Sequence, residues 1–295
     1  MTESKIAWIS SGDITGGSDP GTALPWWSFT KTVLAIAALR LVEDGRLELD
    51  GKRPGKPYTL RQLLQHQAGV PNYGGLEAYH RAIARRETPW SREELLERVS
   101  GDALVFEPGT GWQYSNVGYM FVREAIEEAT DTTLGEALRM LVFEPIGLTD
   151  ARLATTVDDF ADVYWDELKG YDPGWVFHGC LIGAAPAAAR LLHTLFSGAL
   201  LRRPTLEQML IRHDLGGPVP GRPWTRWGYS LGLMSGEMGP AGRAIGHSGG
   251  GPFGVNAVYH FPDLPTPTTV AAFVAGTSEG LAEREALLTA LSLAG

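Results

Sequence analysis

The chain has 295 residues, of which 44% are hydrophobic and 20% are charged, as is ordinary for a globular protein of one large domain or two lobes. Its formal net charge of -9 argues against a nucleic-acid partner and gives no indication of binding to an anionic membrane. The one cysteine, Cys180, excludes an internal disulfide and gives no signal for a structural zinc site. We therefore expect neither a metal nor a cofactor.

The N-terminal residues KIAWISSGD predict a strand followed by a turn. They show no basic region followed by a long apolar run, which is the pattern of a signal peptide. No stretch of the sequence approaches the ~18 apolar residues that would span a bilayer. We therefore expect a cytoplasmic protein with no membrane partner.

Residues 26–45, WWSFTKTVLAIAALRLVEDG, predict an apolar helix that ends near Gly45 and is buried nearly all round. Its first turn nevertheless carries Ser28 and Lys31, an S-x-x-K pair on one helix face. A lysine that is desolvated there can act as a neutral base toward the serine. Taken alone, the motif is better explained by a capping serine followed by a lysine whose amine reaches solvent.

Residues 55–215 predict a mostly helical region, including VGYMFVREAIEEAT and AAARLLHTLFSG. Ser/Thr-x-x-Glu/Gln capping boxes predict helix starts at four places in this region. They begin at Thr59, Ser91, Thr133 and Thr205.

A second motif, Tyr114 and Asn116, lies just before one of these helices, in QYSNVGY. In an extended segment, residues two apart project to the same side. A tyrosine can carry a proton when positive charge lowers its pKa, and an asparagine can hold both a lysine and a substrate amide. The alternative is a core tyrosine and an asparagine that caps a helix beginning at Val117.

After about residue 224 the runs WGYSLGLMS, GRAIGHSG, GVNAVYHFP and TPTTVAAFVAG predict consecutive antiparallel strands, and GLAEREALLTALSLA predicts a last helix. This order predicts an α+β fold, an antiparallel sheet flanked by helices with an inserted, mostly helical lobe. We expect a single domain over 1–295, with an α/β lobe at about 1–55 and 216–295 and a helical lobe at about 56–215. The cleft between the lobes is a usual place for a binding site.

The third motif, His247-Ser248-Gly249-Gly250, lies on one of the predicted strands. Glycines let a ligand approach a strand edge closely, and an N–H of that edge can polarise a carbonyl oxygen. The alternative is a glycine-rich hairpin turn with an incidental histidine.

Together and in this order, the three motifs resemble those of the serine β-lactamase and penicillin-binding-protein superfamily, and most closely its class C β-lactamase, esterase and D-peptidase branch. The segments LRQLLQHQAGVPNY, FEPGTGWQYSNVGY and VFEPIGLTDARL also resemble segments of that branch. The resemblance covers nearly the whole chain and implies a β-lactamase/DD-peptidase-like fold.

The resemblance also implies roles for individual residues. Ser28 would be the nucleophile that forms an acyl-enzyme, and Lys31 would activate it. Tyr114 would carry a proton to the leaving group, and Asn116 would orient Lys31 and the substrate. The backbone N–H groups of Ser28 and Gly250 would form the oxyanion hole.

His247 occupies the position at which many relatives carry a lysine. A histidine is mostly uncharged at neutral pH, so this difference weakens the case for binding a substrate carboxylate and favours an ester or a neutral amide. We expect His247, Ser248 and Gly249 to form a substrate-binding strand.

Aromatic side chains are the candidate walls of the substrate pocket. Trp27, which directly precedes Ser28, packs in the core or lies at the lip of the cleft. The segment at 164–178, which contains Trp175, either fills a hydrophobic lobe or forms the wall of an acyl pocket.

The sequence therefore predicts a serine hydrolase that cleaves a small carboxylic ester, or an amide, through an acyl-enzyme on Ser28. The first alternative is a D-amino-acid peptidase or amidase, or a weak β-lactamase. The second is a catalytically degenerate homologue that binds a ligand without turnover. The natural substrate and the oligomeric state stay open.

Overall fold

The computed structural model describes residues 4–10, 14–17, 21–53, 55–100 and 103–295. Within these ranges the helices are α1 Thr30–Glu43, α2 Leu60–Leu64, α3 Glu77–Ala84, α4 Arg92–Arg98, α5 Asn116–Thr130, α6 Leu134–Leu138, α7 Ala185–Phe196, α8 Arg203–Met209 and α9 Glu279–Ala294. The strands are β1 Ser4–Ser10, β2 Ile14–Gly17, β3 Leu24–Pro25, β4 Ala151–Ala154, β5 Cys180–Gly183, β6 His213–Gly216, β7 Arg226–Tyr229, β8 Met234–Glu237, β9 Arg243–Gly250, β10 Val255–Phe261 and β11 Thr268–Val274.

An antiparallel sheet of eight strands, in the order β2-β1-β11-β10-β9-β8-β7-β6, forms the centre of the described structure. A smaller sheet joins β3, β5 and β4. The predicted α+β fold, an antiparallel sheet flanked by helices, is confirmed. The prediction of a single strand for WGYSLGLMS was wrong, because Gly232 adopts a positive φ of 75° and closes a turn that separates β7 from β8.

The two faces of the sheet are covered by different helices, because alternate residues of a strand point to opposite sides. On β10, Ala257 and Tyr259 belong to the same apolar cluster as Ala282 and Ala286 of α9. Val258, between them, belongs to the larger cluster on the opposite face. On that face α7 packs against β11 and β1, so α7 belongs with the sheet, although the sequence pattern had assigned residues up to about 215 to the helical lobe.

Helix α1 is buried along nearly its whole length, as its apolar sequence predicts. It packs against α5 of the helical lobe, and the Thr32 hydroxyl donates a hydrogen bond of 2.7 Å to the Gly232 carbonyl beside the sheet. The helix therefore lies between the two lobes. The residues at the N-terminal end of α1 therefore face the junction between the two lobes.

Three of the four predicted helix caps are present. The side chains of Thr59, Ser91 and Thr133 each accept a hydrogen bond from a backbone N–H in the first turn of the helix that follows. The prediction for Thr205 was wrong, since α8 already begins at Arg203. Proline is favoured at a helix start, and Pro204 occupies the first turn of α8.

Candidate active site

Ser28 lies in a single helical turn, Trp27–Phe29, that leads directly into α1. Lys31 follows one turn later, and its Nζ lies 3.1 Å from the Ser28 Oγ. The residue before the serine, Trp27, has a positive φ of 39°, which is rare for a bulky side chain and stores backbone strain. The structure thus brings the S-x-x-K pair together at the head of the buried helix.

The Lys31 side chain is fully buried. Burial holds the pKa of its amine well below the ordinary value. The electrostatic interaction with Cys180 raises this pKa, but by less than burial lowers it. A second hydrogen bond joins Lys31 Nζ to His178 Nε2 at 3.0 Å. A lysine with a lowered pKa has a neutral form that can accept the hydroxyl proton of Ser28.

Tyr114 lies on the other side of the serine. Lys31 Nζ is 5.0 Å from the centre of its ring. Burial raises the pKa of the Tyr114 hydroxyl, and a hydrogen bond with the Ser28 side chain lowers it by less. Desolvation therefore has the largest effect on the Tyr114 pKa, and positive charge does not lower it overall. Tyr114 keeps its proton and is suited to donate it.

Asn116 is the first residue of α5 and lines the cavity next to Ser28. The alternative in which it caps the helix is excluded, because the Ser115 hydroxyl accepts the capping hydrogen bond from the Gly118 N–H at 2.8 Å. The hydrogen bonds of the Lys31 amine go to Ser28 and His178. The orienting contact to Lys31 that was expected from Asn116 is made by His178.

His178 lies two residues before β5, in the segment 164–178, and the sequence pattern did not predict its contact with Lys31. Its side chain is 3% exposed. Burial, and then the charge of Lys31, hold its pKa well below the ordinary value, so the ring is neutral and Nε2 accepts from Lys31. The ring proton then lies on Nδ1, which has no hydrogen-bond partner within the described ranges. A lone histidine in an aromatic segment carries no spacing signal that could have identified it.

Strand β9 passes beside the Ser28 turn with one open edge, because β8 pairs with it only as far as Gly246. In an antiparallel ladder, residue pairs that bond to each other through their N–H and C=O groups alternate with pairs whose N–H and C=O groups point away from each other. The Gly251 N–H donates to the Gly254 carbonyl, so the adjacent pair, Gly250 and Val255, directs its N–H and C=O groups away from β10. The Gly250 N–H therefore points to the open edge, and Gly250 lines the same cavity as Ser28.

Gly249 faces the nucleophile at close range. A Cβ atom at this position would lie 2.6 Å from the backbone nitrogen of Ser28, which no side chain can accommodate without displacement. Only glycine lets β9 approach the Ser28 turn this closely.

His247, which was expected to bind substrate, is not among the residues that line the cavity. Its Nδ1 donates to the Ser248 carbonyl at 2.5 Å, and its Nε2 accepts from the Tyr229 hydroxyl at 2.8 Å. Burial, together with the charge of Lys31, lowers the pKa of His247 to about 3. The ring is therefore neutral, and both of its nitrogens are already bonded within the chain.

Ser248 also departs from expectation, because its side chain faces α9 rather than the cavity. Its Oγ lies 2.6 Å from Glu283 Oε1 and 2.6 Å from the Tyr259 hydroxyl. Glu283 is fully buried and also accepts hydrogen bonds from Arg222 and Trp224. Ser248 thus fixes β9 to a buried polar network behind the sheet.

The cavity that contains Ser28 has a volume of about 460 Å³. Trp27 lines it, although its side chain is almost fully buried. Trp175 was expected there and is not, because its indole N–H points elsewhere and donates to the Glu87 carbonyl at 3.2 Å. Tyr171, from the segment 164–178, does line the cavity, and the walls also include side chains outside that segment: Tyr73, Tyr79, His80 and Glu279.

Replacing Gly249 by alanine tests the close approach of β9 to the Ser28 turn. We expect Gly249→Ala to slow covalent labelling of Ser28 by a fluorophosphonate by about 100-fold, because displacements near 1 Å at a reacting group have effects of that size. The rate of labelling, followed by mass spectrometry of the intact protein, measures this.

Gly75→Ala is the matched control, since a Cβ atom there would meet nothing within 4 Å. Both variants should keep the far-UV circular dichroism spectrum of the wild type. An unchanged labelling rate in a folded Gly249→Ala protein would show that β9 does not constrain the serine.

Within the described residues, no group of three or more histidine, cysteine, aspartate or glutamate side chains could hold a metal ion. No helix in those ranges is both long enough and apolar enough to cross a bilayer.

Comparisons with known proteins agree with this geometry. The chain is 30% identical over 178 residues to a lovastatin esterase of Penicillium rubens, an alignment that spans 50% of this chain and 43% of that protein. It is 28% identical over 165 residues to a D-aminopeptidase of Cereibacter sphaeroides, spanning 52% of this chain and 30% of that one. The chain thus aligns with less than half the length of these relatives.

Among solved structures, the D-amino acid amidase of Ochrobactrum anthropi SV3 superposes with a TM-score of 0.81 and 20% identity, over 98% of this chain and 95% of that one. This likeness shows a shared fold. A family model described as Beta-lactamase matches residues 6–294. The chain therefore belongs to the Beta-lactamase family.

Proposed function

We propose that this protein is a serine hydrolase that cleaves a small carboxylic ester, or an amide, through an acyl-enzyme on Ser28. The observation that carries the proposal is the 3.1 Å contact between Lys31 Nζ and Ser28 Oγ at a cavity wall. The Tyr114 side chain also interacts with Ser28, which supplies a proton donor. A nucleophile, a base and a proton donor thus converge on one point.

Acylation begins with neutral Lys31. Its Nζ takes the hydroxyl proton as Ser28 Oγ forms a bond to the carbonyl carbon of the substrate. The carbonyl oxygen becomes an oxyanion and accepts hydrogen bonds from the N–H groups of Ser28 and Gly250. The bond to the leaving group then breaks as Tyr114 gives it a proton, and Lys31 returns a proton to the tyrosine. A water molecule repeats the sequence to release the acid.

The opposite pKa shifts of the two groups assign these roles. Burial disfavours the charged form of each, so it lowers the pKa of Lys31 and raises the pKa of Tyr114. A neutral amine beside a neutral phenol is the pair that the first step requires. His178 has a positioning role, because its Nε2 accepts a hydrogen bond from the amine and holds it against Ser28.

The cavity favours substrates without a carboxylate. No lysine or arginine is found among the described residues that line it, whereas Glu279 contributes an acidic group. His247 is neutral and bonded elsewhere. This weakens the β-lactamase alternative, because penicillins carry a carboxylate. The relatives named above as an esterase and a D-aminopeptidase are in keeping with esters and amides.

The partner that we expect is therefore a small ester or amide molecule. The cytoplasmic location expected from the sequence stays a prediction.

Replacing the nucleophile is the direct test. We expect Ser28→Ala to lower kcat/KM for p-nitrophenyl butyrate by at least about 1,000-fold, because no other group can form the acyl-enzyme. Release of p-nitrophenol measures the rate. Ser292→Ala, at an exposed position on α9, should behave as the wild type.

A fluorophosphonate adduct located by peptide mass spectrometry separates the remaining alternatives. We expect the label on Ser28. Labelling of another residue would refute Ser28 as the nucleophile. A wild-type protein that takes no label and releases no p-nitrophenol would instead be the degenerate, ligand-binding homologue.

The lowered pKa of Lys31 predicts the pH dependence. The neutral amine is the active form, so kcat/KM should be low at acidic pH and rise as pH increases through the Lys31 pKa. Because burial lowers that pKa, the rise should be complete well below pH 10.5, the ordinary value for a lysine. A profile that is still rising near pH 10.5 would contradict a neutral Lys31 at physiological pH.

Two substitutions test the positioning role of His178. His178→Leu removes the acceptor of the Lys31 hydrogen bond, and we expect kcat to fall by about 10- to 100-fold with little change in KM. His178→Gln keeps an acceptor oxygen near the place of Nε2 and should recover most of the loss. Equal losses in both variants would indicate that the imidazole acts only by filling space.

A further inference from the structure

We propose that Glu279 forms a subsite for a cationic group of the substrate, so that the preferred ester or amide carries a free ammonium group close to its scissile carbonyl. This inference rests on the proposed function. The carboxylate lies at the first residue of α9, on the wall of the Ser28 cavity. A methyl group added at Gly250 would lie 3.3 Å from its Oε1.

The position of Glu279 relative to the oxyanion hole sets the reach of this subsite. The Gly250 N–H is one of the two donors expected to bind the oxyanion. A carboxylate directly beside that residue is within reach of a group attached to the carbon next to the scissile carbonyl. An amino acid ester or amide carries its ammonium group at that carbon.

Within the described part of the chain the Glu279 carboxylate makes no hydrogen bond and no ion pair, although it interacts electrostatically with the Arg222 guanidinium. The nearby guanidinium of Arg222 is directed to Glu283, one helical turn later on α9, and donates to both of its oxygens. Glu279 itself is only half-buried and lines the cavity, so its carboxylate is accessible to a ligand.

No lysine or arginine among the described residues that line the cavity forms an ion pair with Glu279. Lys31 is buried, with a lowered pKa and both contacts directed to Ser28 and His178. His178 is neutral, and His80 places its Nε2 2.8 Å from the Gly74 carbonyl oxygen. The described lining of the cavity therefore has an excess of negative charge.

An unpaired carboxylate at this place opposes catalysis on an uncharged substrate. Negative charge develops on the carbonyl oxygen in the transition state, and a neighbouring carboxylate repels it. The field of Glu279 already reaches the site, where it contributes to the raised pKa of Tyr114. A substrate ammonium between the two negative groups removes the repulsion and adds attraction to both.

A carboxylate at the first residue of a helix also interacts favourably with the helix dipole. That role is satisfied by any acidic side chain in the first turn and does not require a position beside Gly250. The two roles differ in their effect on substrate selection, since only a cation subsite discriminates between charged and neutral acyl groups.

Two esters that differ only in the ammonium group provide the test. Alanine benzyl ester, as each enantiomer, and benzyl propionate share a leaving group and a carbon skeleton. At about pH 6.5 an α-amino group is charged. We expect the full-length wild-type protein to hydrolyse the faster alanine enantiomer with a kcat/KM at least about 10-fold above that for benzyl propionate, measured by release of benzyl alcohol.

Glu279→Gln should lower this ratio of kcat/KM values by about 10-fold or more, since it removes the charge and keeps the shape. Glu285→Gln, a similar change further along α9, should leave the ratio unchanged. A wild-type ratio below one, or the same ratio in Glu279→Gln as in the wild type, would overturn the cation subsite while leaving the Ser28 mechanism intact.

A second measurement separates this inference from the proposed function. Calorimetric binding of alaninamide and propionamide to the Ser28→Ala protein does not depend on turnover. Tighter binding of alaninamide, lost in the Ser28→Ala, Glu279→Gln double variant, supports the subsite even if no ester is hydrolysed. Equal binding of the two amides would refute it.

Discussion

The burial of one amine organises this site. Lys31 is placed at the head of a helix that is covered on all sides, so its ammonium form has no access to bulk water. The free energy needed to desolvate a charge exceeds the stabilisation from a few hydrogen bonds, and the neutral amine is therefore favoured over the ammonium ion. The low pKa of Lys31 follows from the packing of α1 between the two lobes. Catalytic basicity is thus a consequence of where the helix is buried.

The histidines around Lys31 obey the same constraint. His66, His178 and His247 are all buried, and desolvation together with the charge of Lys31 lowers the pKa of each. If any of these histidines held a proton, its positive charge would disfavour the ammonium form of Lys31 further, and desolvation keeps the three imidazoles neutral. They serve as acceptors and spacers.

The position of β9 depends on contacts on its other face. Ser248 bonds to the buried carboxylate of Glu283, which is itself paired with Arg222. This network anchors the strand from behind, so the open edge at Gly250 is held beside Ser28 without a side chain in the way. The serine of the His247–Gly250 motif, Ser248, is therefore explained by its hydrogen bond to Glu283 on the other side of the sheet.

The sequence predicted the parts of this structure that depend on local pattern. The strand at β10, the apolar length of α1 and the neighbouring positions of Ser28 and Lys31 follow from the pattern along one element. It did not predict His178 at Lys31, because 147 residues separate them and no periodicity connects them. It also misassigned Ser248, since alternation shows that two neighbours face opposite sides but does not show which side is the cavity.

The charge on the cavity wall narrows what the site can accept. A β-lactam or a peptide with a free carboxylate would bring a second negative charge next to Glu279 and the developing oxyanion, and the described walls hold no lysine or arginine to offset it. A neutral ester has no carboxylate to be repelled by Glu279, but Glu279 still repels the oxyanion that develops on its carbonyl. A substrate with an ammonium group avoids the first repulsion and offsets the second. Because the fold alone does not determine the substrate, the proposed function makes the selection among esters, lactams and amides depend on the few charges that line the cavity.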